Sequence, residues 1–318
     1  MDQARRETER LVAETEVAFY TDPLTLYLLG LVDYYQGRYK PAIDRLELGL
    51  NSPPRRRERY RGIEIRDAFR RALSRAYSDY GASYLNHGAF EDAGRLLQRA
   101  EGYVVDRDNP ARVELLQRLA VVDEVLTRFD RAVERLRECI RIKPEDKEAF
   151  LGMIVRVYIS TQRLDEARRV LAEASRASRN PQIIRARCAL AQQEAMRTHE
   201  EAAIRRALDL YRKEIGLARQ DMRYRLVKEF GQLVRDIVHP ARVQEHRPLL
   251  KELEALTLEE VERHPECPEL YFILKWIYQL LGDGEKQARY EKLHDQKRKE
   301  FDRRSPKDRF DRHGRPRC

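Results

Sequence analysis

The chain has 318 residues, of which 37% are charged, and it carries a formal net charge of +9. No apolar run approaches the length of a membrane span, so the composition excludes a membrane-spanning helix and favours amphipathic helices with wet outer faces. The first residues lack the apolar core of a signal peptide. We therefore expect a soluble, cytoplasmic protein.

The N-terminal segment is predicted to be a single helix. Over residues 2–20, Leu11 and Phe19 fall on one face of that helix. Thr15 lies on the same face and makes it less apolar than a fully buried helix requires. We expect this segment, bounded as residues 1–21, to pack against the helices that follow.

Later helices have recognisable starts and ends. An Asp or Asn side chain caps a helix N-terminus, and proline is accepted at the first helical position. This pair predicts helix starts at Asp22-Pro23, Asn109-Pro110 and Asn180-Pro181. Glycine is favoured where the chain leaves a helix and turns back. The predicted helix ends are Gly37, Gly88 and Gly282.

A pattern of small and bulky residues recurs, complete or in part, four times in the first half of the chain. The small residues of the first helices are Gly30, Gly81 and Ala120. The bulky residues that open the second helices are Tyr39, Phe90, Phe129 and Leu164, each followed three residues later by Ala42, Ala93, Ala132 or Ala167. Small side chains let two helices approach closely, while bulky ones fill the neighbouring gap. The pattern therefore predicts antiparallel helix pairs.

The pattern resembles the tetratricopeptide repeat, a unit of two antiparallel helices about 34 residues long. The resemblance implies an all-α fold, an α-solenoid wound as a right-handed superhelix of about five to six antiparallel helix pairs. The segments it predicts are an N-terminal packing helix at 1–21, tetratricopeptide-like repeats at 22–180 with an arginine-rich insertion at 55–73, degenerate helical repeats at 181–264, a C-terminal tetratricopeptide-like helix pair at 265–300 and a basic disordered tail at 301–318.

Positive charge is concentrated in two segments. Residues 55–75 contain nine arginines and three acidic residues, and residues 297–318 contain ten basic and four acidic residues. Apolar positions three and four apart between Ile65 and Tyr80 predict one long helix over about residues 62–86, and no β-strand is predicted in the chain. This helix overhangs its partner and must bury its apolar stripe against something else.

Sequence motifs of catalysis are missing. The chain has no dinucleotide-binding or phosphate-binding glycine motif, no HExxH and no GxSxG. His264 and Cys267 have the spacing of metal ligands, but two ligands do not complete a zinc site. The four cysteines form no CxxC pair, and we expect free thiols in a reducing compartment. We expect a non-enzymatic protein with no cofactor and no metal.

The resemblance also implies a concave groove lined by the first helix of each pair. The implied lining positions are Leu24, Tyr27, Leu31, Tyr34 and Tyr35, then Arg75, Ser78, Ala82, Leu85 and Asn86, then Glu114, Gln117, Val121, Glu124 and Val125, and then Ala149, Gly152, Arg156, Ile159 and Ser160. The candidate partner-binding residues are Tyr27, Leu31, Tyr34, Arg75, Asn86 and Arg156. Aromatic stripes at helical spacing are usually core, so the favoured interpretation of Tyr27, Leu31 and Tyr34 is packing against residues 2–20, with contact to a peptide as the alternative.

Family members that hold chaperone tails use a carboxylate clamp of lysine, asparagine and arginine. Tyr27 and Leu31 occupy clamp positions here, so we do not expect that clamp. The favoured function is a scaffold or adaptor that binds a peptide or helix of another protein in the groove. One alternative is a nucleic-acid-associated helical-repeat factor that uses residues 55–75 and 297–318, the latter also suited to an acidic surface. Another is a structural subunit of a larger assembly, joined through the overhanging helix.

Overall fold

The computed structural model describes residues 22–52, 59–60, 63–106 and 108–303. Fourteen α-helices make up most of the described chain, so the predicted all-α class, a helical-repeat solenoid, is confirmed. The predicted N-terminal helix at 1–21, Arg55 to Arg57 and the tail from residue 304 onward lie outside the described residues. None of the described helices is both long enough and apolar enough to cross a membrane.

The chain divides into two compact units at Phe150 and Leu151. The elements of the first unit are α1 (Pro23–Tyr35), α2 (Tyr39–Asn51), β1 (Arg59–Tyr60), β2 (Ile63–Glu64), α3 (Ile65–Asn86), α4 (Phe90–Gly102), α5 (Ala111–Val125) and α6 (Phe129–Ile142). The helices form three consecutive pairs, and the second helix of each pair packs on the first helix of the next.

Helix α7 (Lys147–Ser160) crosses the boundary and is followed by the helices of the second unit. These are α8 (Leu164–Ala172), α9 (Pro181–Thr198), α10 (Glu201–Leu217), α11 (Gln220–Ile237), α12 (Arg247–Arg263), α13 (Pro268–Leu281) and α14 (Gly284–Arg303). The pairs α9–α10, α11–α12 and α13–α14 pack in the same order as those of the first unit.

The described helices follow one another as seven pairs, one more than the largest number predicted. The difference arises in residues 181–264, where the small-residue pattern is weak but two full pairs, α9–α10 and α11–α12, are present. Long apolar side chains build their core, with Tyr211, Phe230 and Leu250 buried together. Helix pairing here depends on the apolar stripes, which need no fixed pattern of glycine and alanine.

Small residues set the distance between the paired helices of the first unit. A Cβ atom added to Gly30 would lie 2.7 Å from Cγ of Leu46, and one added to Gly81 would lie 2.8 Å from Cγ of Leu97. The four alanines of the pattern are fully buried. Two successive pairs therefore repeat one close contact, as the recurrence in the sequence predicts.

Two of the three predicted helix starts are confirmed. Asp22 Oδ2 accepts a hydrogen bond from the Thr25 amide at 3.0 Å, and Asn180 Oδ1 accepts one from the Gln182 amide at 2.9 Å. At the third start, Pro110 is the cap residue and α5 begins one residue later than predicted. Its backbone is already in the helical region, with φ −52° and ψ −28°.

The segment before α3 differs from the prediction. Helix α3 begins at Ile65 rather than at residue 62, and two antiparallel strands of two residues precede it. Arg59 pairs with Glu64 and Tyr60 pairs with Ile63, a short strand pair that the sequence does not predict. β-branched residues such as Ile63 favour extended backbone, and a short ladder satisfies peptide groups that the helix would otherwise have bonded.

First helices end in the left-handed backbone region. The predicted glycine ends are confirmed, with φ of 74° at Gly37, 76° at Gly88 and 74° at Gly282. Thr127 and Gln162 end α5 and α7 in the same conformation, with φ of 58° and 59°. The amide that follows each of them donates to the carbonyl five residues earlier, as in a Schellman motif. Because neither residue is glycine, the sequence does not reveal these two ends.

Replacing Thr127 by glycine is expected to raise the free energy of unfolding by about 1 kcal/mol, because a β-branched residue is strained in the left-handed region. Urea unfolding followed by circular dichroism measures the change. Thr161→Gly is the matched control: Thr161 has no positive φ, so glycine there is expected to destabilise the protein. A T127G protein no more stable than the parent contradicts the assignment of strain.

Candidate functional site

The first helices of the three pairs in the first unit lie side by side. Helix α3 contacts both α1 and α5, while α2, α4 and α6 cover the opposite side. We call the resulting surface the first groove and define it by the predicted lining positions of these helices, from Leu24 to Val125. Its side chains divide into an aromatic end, an apolar strip and a polar middle.

The aromatic end contacts the body of the unit. The Tyr27 ring meets the buried Phe69 ring edge-on, with 5.3 Å between the centroids. The Tyr34 hydroxyl donates to Asp79 Oδ2 at 2.6 Å, and burial, followed by this hydrogen bond, raises the pKa of Tyr34. Tyr27, Leu31 and Tyr34 all pack on the core of the unit and are half-buried. Part of their surface is therefore used by the fold itself.

An exposed apolar strip lies nearer the C-terminal ends of the same helices. We define the apolar strip as Tyr35, Leu85, Val121 and Val125. Tyr35 is 61% exposed, Val121 39% and Val125 46%, while Leu85 is half-buried. Tyr35 and Val125 occupy the same position, two residues before the left-handed residues that end α1 and α5, and water solvates exposed apolar side chains poorly. The fold does not bury this strip within the described residues.

The polar middle consists of Ser78, Asp79 and Glu114, which all accept hydrogen bonds from Arg118. This residue of α5 donates from Nη1 to Ser78 Oγ at 2.8 Å and to Asp79 Oδ1 at 3.0 Å. Its Nη2 donates to Glu114 at 2.6 Å. Asp79 thus accepts from both Tyr34 and Arg118, so one carboxylate of α3 ties together α1 and α5.

The other candidate residues divide between the units. Arg75 and Asn86 are exposed on α3, with Arg75 in the N-terminal half of the helix and Asn86 at its last residue. Arg156 is half-buried on α7, in the second unit. Two further implied lining positions, Gly152 and Ile159, are buried. A Cβ at Gly152 would lie 2.6 Å from the backbone of Gln182, so this glycine serves helix packing and not a groove.

Buried ion pairs connect the helices behind the first groove. Arg135 donates from Nε to Asp123 at 2.7 Å and from Nη1 to Glu101 at 3.0 Å. Arg112 links Glu101, at 3.4 Å, to Glu138, at 2.9 Å. The Asp123 side chain is 2% exposed and that of Arg135 12% exposed. Helices α4, α5 and α6 are therefore joined by charge-assisted hydrogen bonds that are largely shielded from water.

Acid is expected to weaken this network through Glu138. Hydrogen bonds from Arg141 and, secondarily, from Arg112 lower the pKa of Glu138 from 4.5 to about 2. A carboxyl whose pKa is lower in the folded state stabilises the fold above its unfolded pKa. That contribution is lost as the pH falls from 4.5 towards 2.

The measurement is the urea midpoint as a function of pH for the parent and for Glu138→Gln. The variant is expected to lose stability less steeply across the window from 4.5 to 2. Glu134→Gln on the same helix is the control, because Glu134 is exposed and has no ion pair with a described residue. Parallel curves for E138Q and the parent would refute the role of Glu138.

The second unit carries a cavity between two of its helices. Helices α11 and α13 enclose about 110 Å³, lined by Phe272, Ile273 and Trp276 of α13 and by Gly231 and Arg235 of α11. Phe272 is 39% exposed, and the guanidinium carbon of Arg235 lies 5.7 Å from the centroid of its ring. We call this the α13 pocket. It combines apolar side chains with Arg235 and with the ion pair between Lys228 and Glu269.

Neither Phe272 nor Trp276 is among the candidate residues predicted from the sequence. The available signal is their spacing of four residues on a helix that ends at a left-handed glycine. Counted back from that glycine, they occupy the positions that Tyr27 and Leu31 have before Gly37. The same face of two distant helix pairs therefore carries large apolar side chains.

Groups suited to metal binding or nucleophilic chemistry are not assembled in the described part of the chain. Those residues contain no cluster of three or more potential metal ligands. Cys267 is fully buried, and His264 lies 3.8–4.0 Å from Glu260 and Glu266. Burial raises the pKa of Cys139 to about 12, so its thiolate is not populated at neutral pH.

The chain is similar to known tetratricopeptide repeat proteins in part of its sequence and in its fold. Residues 127–192 match the sequence profile of the tetratricopeptide repeat. No curated protein sequence matches the chain. A tetratricopeptide repeat protein from Parabacteroides merdae is 15% identical, has a TM-score of 0.54 and aligns over 86% of this chain and 92% of its own. PilF of Pseudomonas aeruginosa is 17% identical, has a TM-score of 0.44 and aligns over 73% of this chain and 98% of its own. The first of these likenesses concerns the fold alone.

Proposed function

We propose that this tetratricopeptide-repeat protein is a non-catalytic scaffold whose first groove binds a segment of another protein. The observation that carries the proposal is the apolar strip. Tyr35, Val121 and Val125 are large apolar side chains that the described fold leaves exposed. Exposed apolar surface on a soluble repeat protein is typical of a binding face.

The hydrogen bonds that join the helices of the first groove also support a peptide or a helix as the ligand. Asp79 holds α1 and α5 in fixed positions through Tyr34 and Arg118, so the surface is preorganised. A preorganised surface loses little conformational entropy when it binds. The apolar strip supplies the anchors, and the hydrogen-bonding groups of the polar middle orient the chain that lies on it.

A double substitution, Val121→Asp with Val125→Asp, tests the proposal. Because it places two charges where a partner would bury apolar side chains, it is expected to weaken binding by about 1–2 kcal/mol. Proteins cross-linked to the tagged parent and to the variant are compared by quantitative mass spectrometry. The amounts of all proteins that bind through the apolar strip should be lower for the variant than for the parent.

Leu48→Asp is the matched control. Leu48 is 56% exposed but lies on α2, away from the first groove. The L48D substitution removes an exposed apolar side chain and adds a charge without changing the apolar strip. If L48D depletes the same proteins as the double variant, or if the double variant depletes none, the first groove is not the binding surface.

We also place the scaffold in a reducing compartment such as the cytoplasm. Cys139 and Cys188 are buried free thiols. Free thiols are typical of proteins that work where disulfides do not persist. Fractionation of cells that express a tagged chain tests this placement.

A further inference from the structure

Helix α3 carries a group of four exposed arginines. Arg66, Arg70, Arg71 and Arg75 are all exposed, and none of them forms a hydrogen bond or ion pair with a described residue. We call these four residues the arginine face. Arginines of the neighbouring helices behave differently: Arg118 and Arg135 are each bonded to carboxylates.

Part of the arginine face continues directly into the first groove. At about 100° per residue, Arg75, Ala82 and Leu85 each fall within about 40° of Arg71 around the helix. The helix therefore presents one stripe that is cationic in its N-terminal half and apolar in its C-terminal half. Leu85 belongs to the apolar strip, so the two features meet on one surface.

We propose that the arginine face binds an acidic stretch of the same protein segment whose apolar side chains lie on the apolar strip. This inference rests on the proposed function and adds the chemistry of the partner. Four exposed guanidinium groups that lack a partner among the described residues complement a run of carboxylates, which accept paired hydrogen bonds from arginine. The partner segment is acidic at one end and apolar at the other.

An acidic protein segment explains more of this surface than a polynucleotide does. Phosphates satisfy the arginines, but single-stranded nucleic acid also needs aromatic side chains on which bases stack beside the cations. On the described first groove the most exposed aromatic residue is Tyr35, which belongs to the apolar strip, whereas Tyr34, which interacts with Arg75, is half-buried and hydrogen-bonded to Asp79. Aliphatic Val121 and Val125 suit apolar side chains of a protein.

The arginine face is expected to act mainly on the rate at which the acidic segment associates with the protein and on the orientation in which it arrives. Exposed ion pairs contribute little each, and salt screens them over about 10 Å at 0.1 M. Four like charges together attract an acidic segment over a longer distance and orient it along the helix. Association should therefore slow as salt is added, while the apolar contacts persist.

Fluorescence anisotropy of the full chain with three labelled probes tests the inference. The probes are a synthetic peptide in which a run of glutamates precedes leucine and phenylalanine, the same peptide with glutamines, and a single-stranded oligouridylate. The parent is expected to bind the glutamate peptide most tightly and in a salt-dependent manner. Arg71→Glu with Arg75→Glu should weaken that binding by about tenfold or more at low salt, through like-charge repulsion.

Two further variants separate the inference from the proposed function. Arg206→Glu with Lys213→Glu makes the same change of charge at exposed positions of α10 and should leave binding unchanged. The V121D/V125D protein should bind both peptides more weakly. If the glutamine peptide binds as tightly as the glutamate peptide while V121D/V125D weakens both, the arginine face has no role but the first groove still binds proteins.

Other outcomes overturn the inference directly. One is an R71E/R75E protein that binds the glutamate peptide as tightly as the parent. Another is preferential, salt-dependent binding of the oligouridylate, which would make the arginine face a nucleic-acid surface. A parent chain that binds neither peptide counts against both the inference and the proposed function.

Discussion

Replacing Asp123 by alanine is expected to lower the local free energy of unfolding of α5 and α6 by about 3–5 kcal/mol, because it leaves a buried arginine without its closest carboxylate. Asp123 is 2% exposed and accepts a 2.7 Å hydrogen bond from Arg135, which is itself 12% exposed. Water cannot replace the lost partner, and Glu101 accepts from Arg135 through only one other nitrogen. Native-state hydrogen exchange of the amides in both helices measures the change.

Asp33 provides the matched comparison, since it occupies the same place in the first pair. It is 1% exposed and bonds to Arg45, twelve residues further along, just as Asp123 bonds to Arg135 twelve residues further along. The two arginines that contact Asp33 are 35% and 34% exposed, so water can solvate them. Asp33→Ala is therefore expected to cost about 1–3 kcal/mol. An equal or larger loss for D33A than for D123A contradicts the argument from burial.

The second large effect is expected at Gly152, where alanine should cost about 1–3 kcal/mol through overpacking. Its added Cβ would lie 2.6 Å from the carbonyl carbon and Cβ of Gln182 and 2.7 Å from the carbonyl oxygen. Real Cβ atoms do not approach backbone so closely, so α7 or the start of α9 must move. Hydrogen exchange of the amides in α9 reports the change.

Gly216→Ala is the control of opposite sign. Nothing lies within 4 Å of a Cβ at Gly216, which is exposed near the end of α10. Alanine has the higher helix propensity and is expected to stabilise that helix by about 0.5–1 kcal/mol. Similar losses for G152A and G216A would mean that the contact with Gln182 is not what matters at Gly152.

These buried contacts bear on the proposed scaffold because they hold the first helices in place. Arg118 and Asp79 connect the groove helices α3 and α5, and Arg135 connects α5 to α4 and α6. A groove fixed in this way leaves its exposed apolar side chains and the arginine face available for a partner. The V121D/V125D and R71E/R75E variants alter only exposed residues, so their effects on binding should not be confused with unfolding.

Much of the fold follows from local signals in the sequence. Helix starts at Asp22 and Asn180 and ends at Gly37 and Gly88 depend on neighbouring residues alone, through caps and backbone conformation. The recurring small residues predict the close contacts because each repeat packs on its neighbour in the same way. The order of helices and turns can therefore be predicted from the sequence.

The candidate site depends on contacts between residues far apart in sequence, which no local pattern contains. The periodicity that places Tyr34 on the groove does not reveal that its hydroxyl bonds to Asp79, forty-five residues away. Gly152 has the spacing of a lining residue, yet α9 covers it. The left-handed end at Thr127 is imposed by the turn between α5 and α6 against the residue's own preference. The sequence by itself determined where helices form and pair, because those choices are local; tertiary packing decided which faces stay exposed, because burial depends on what lies opposite.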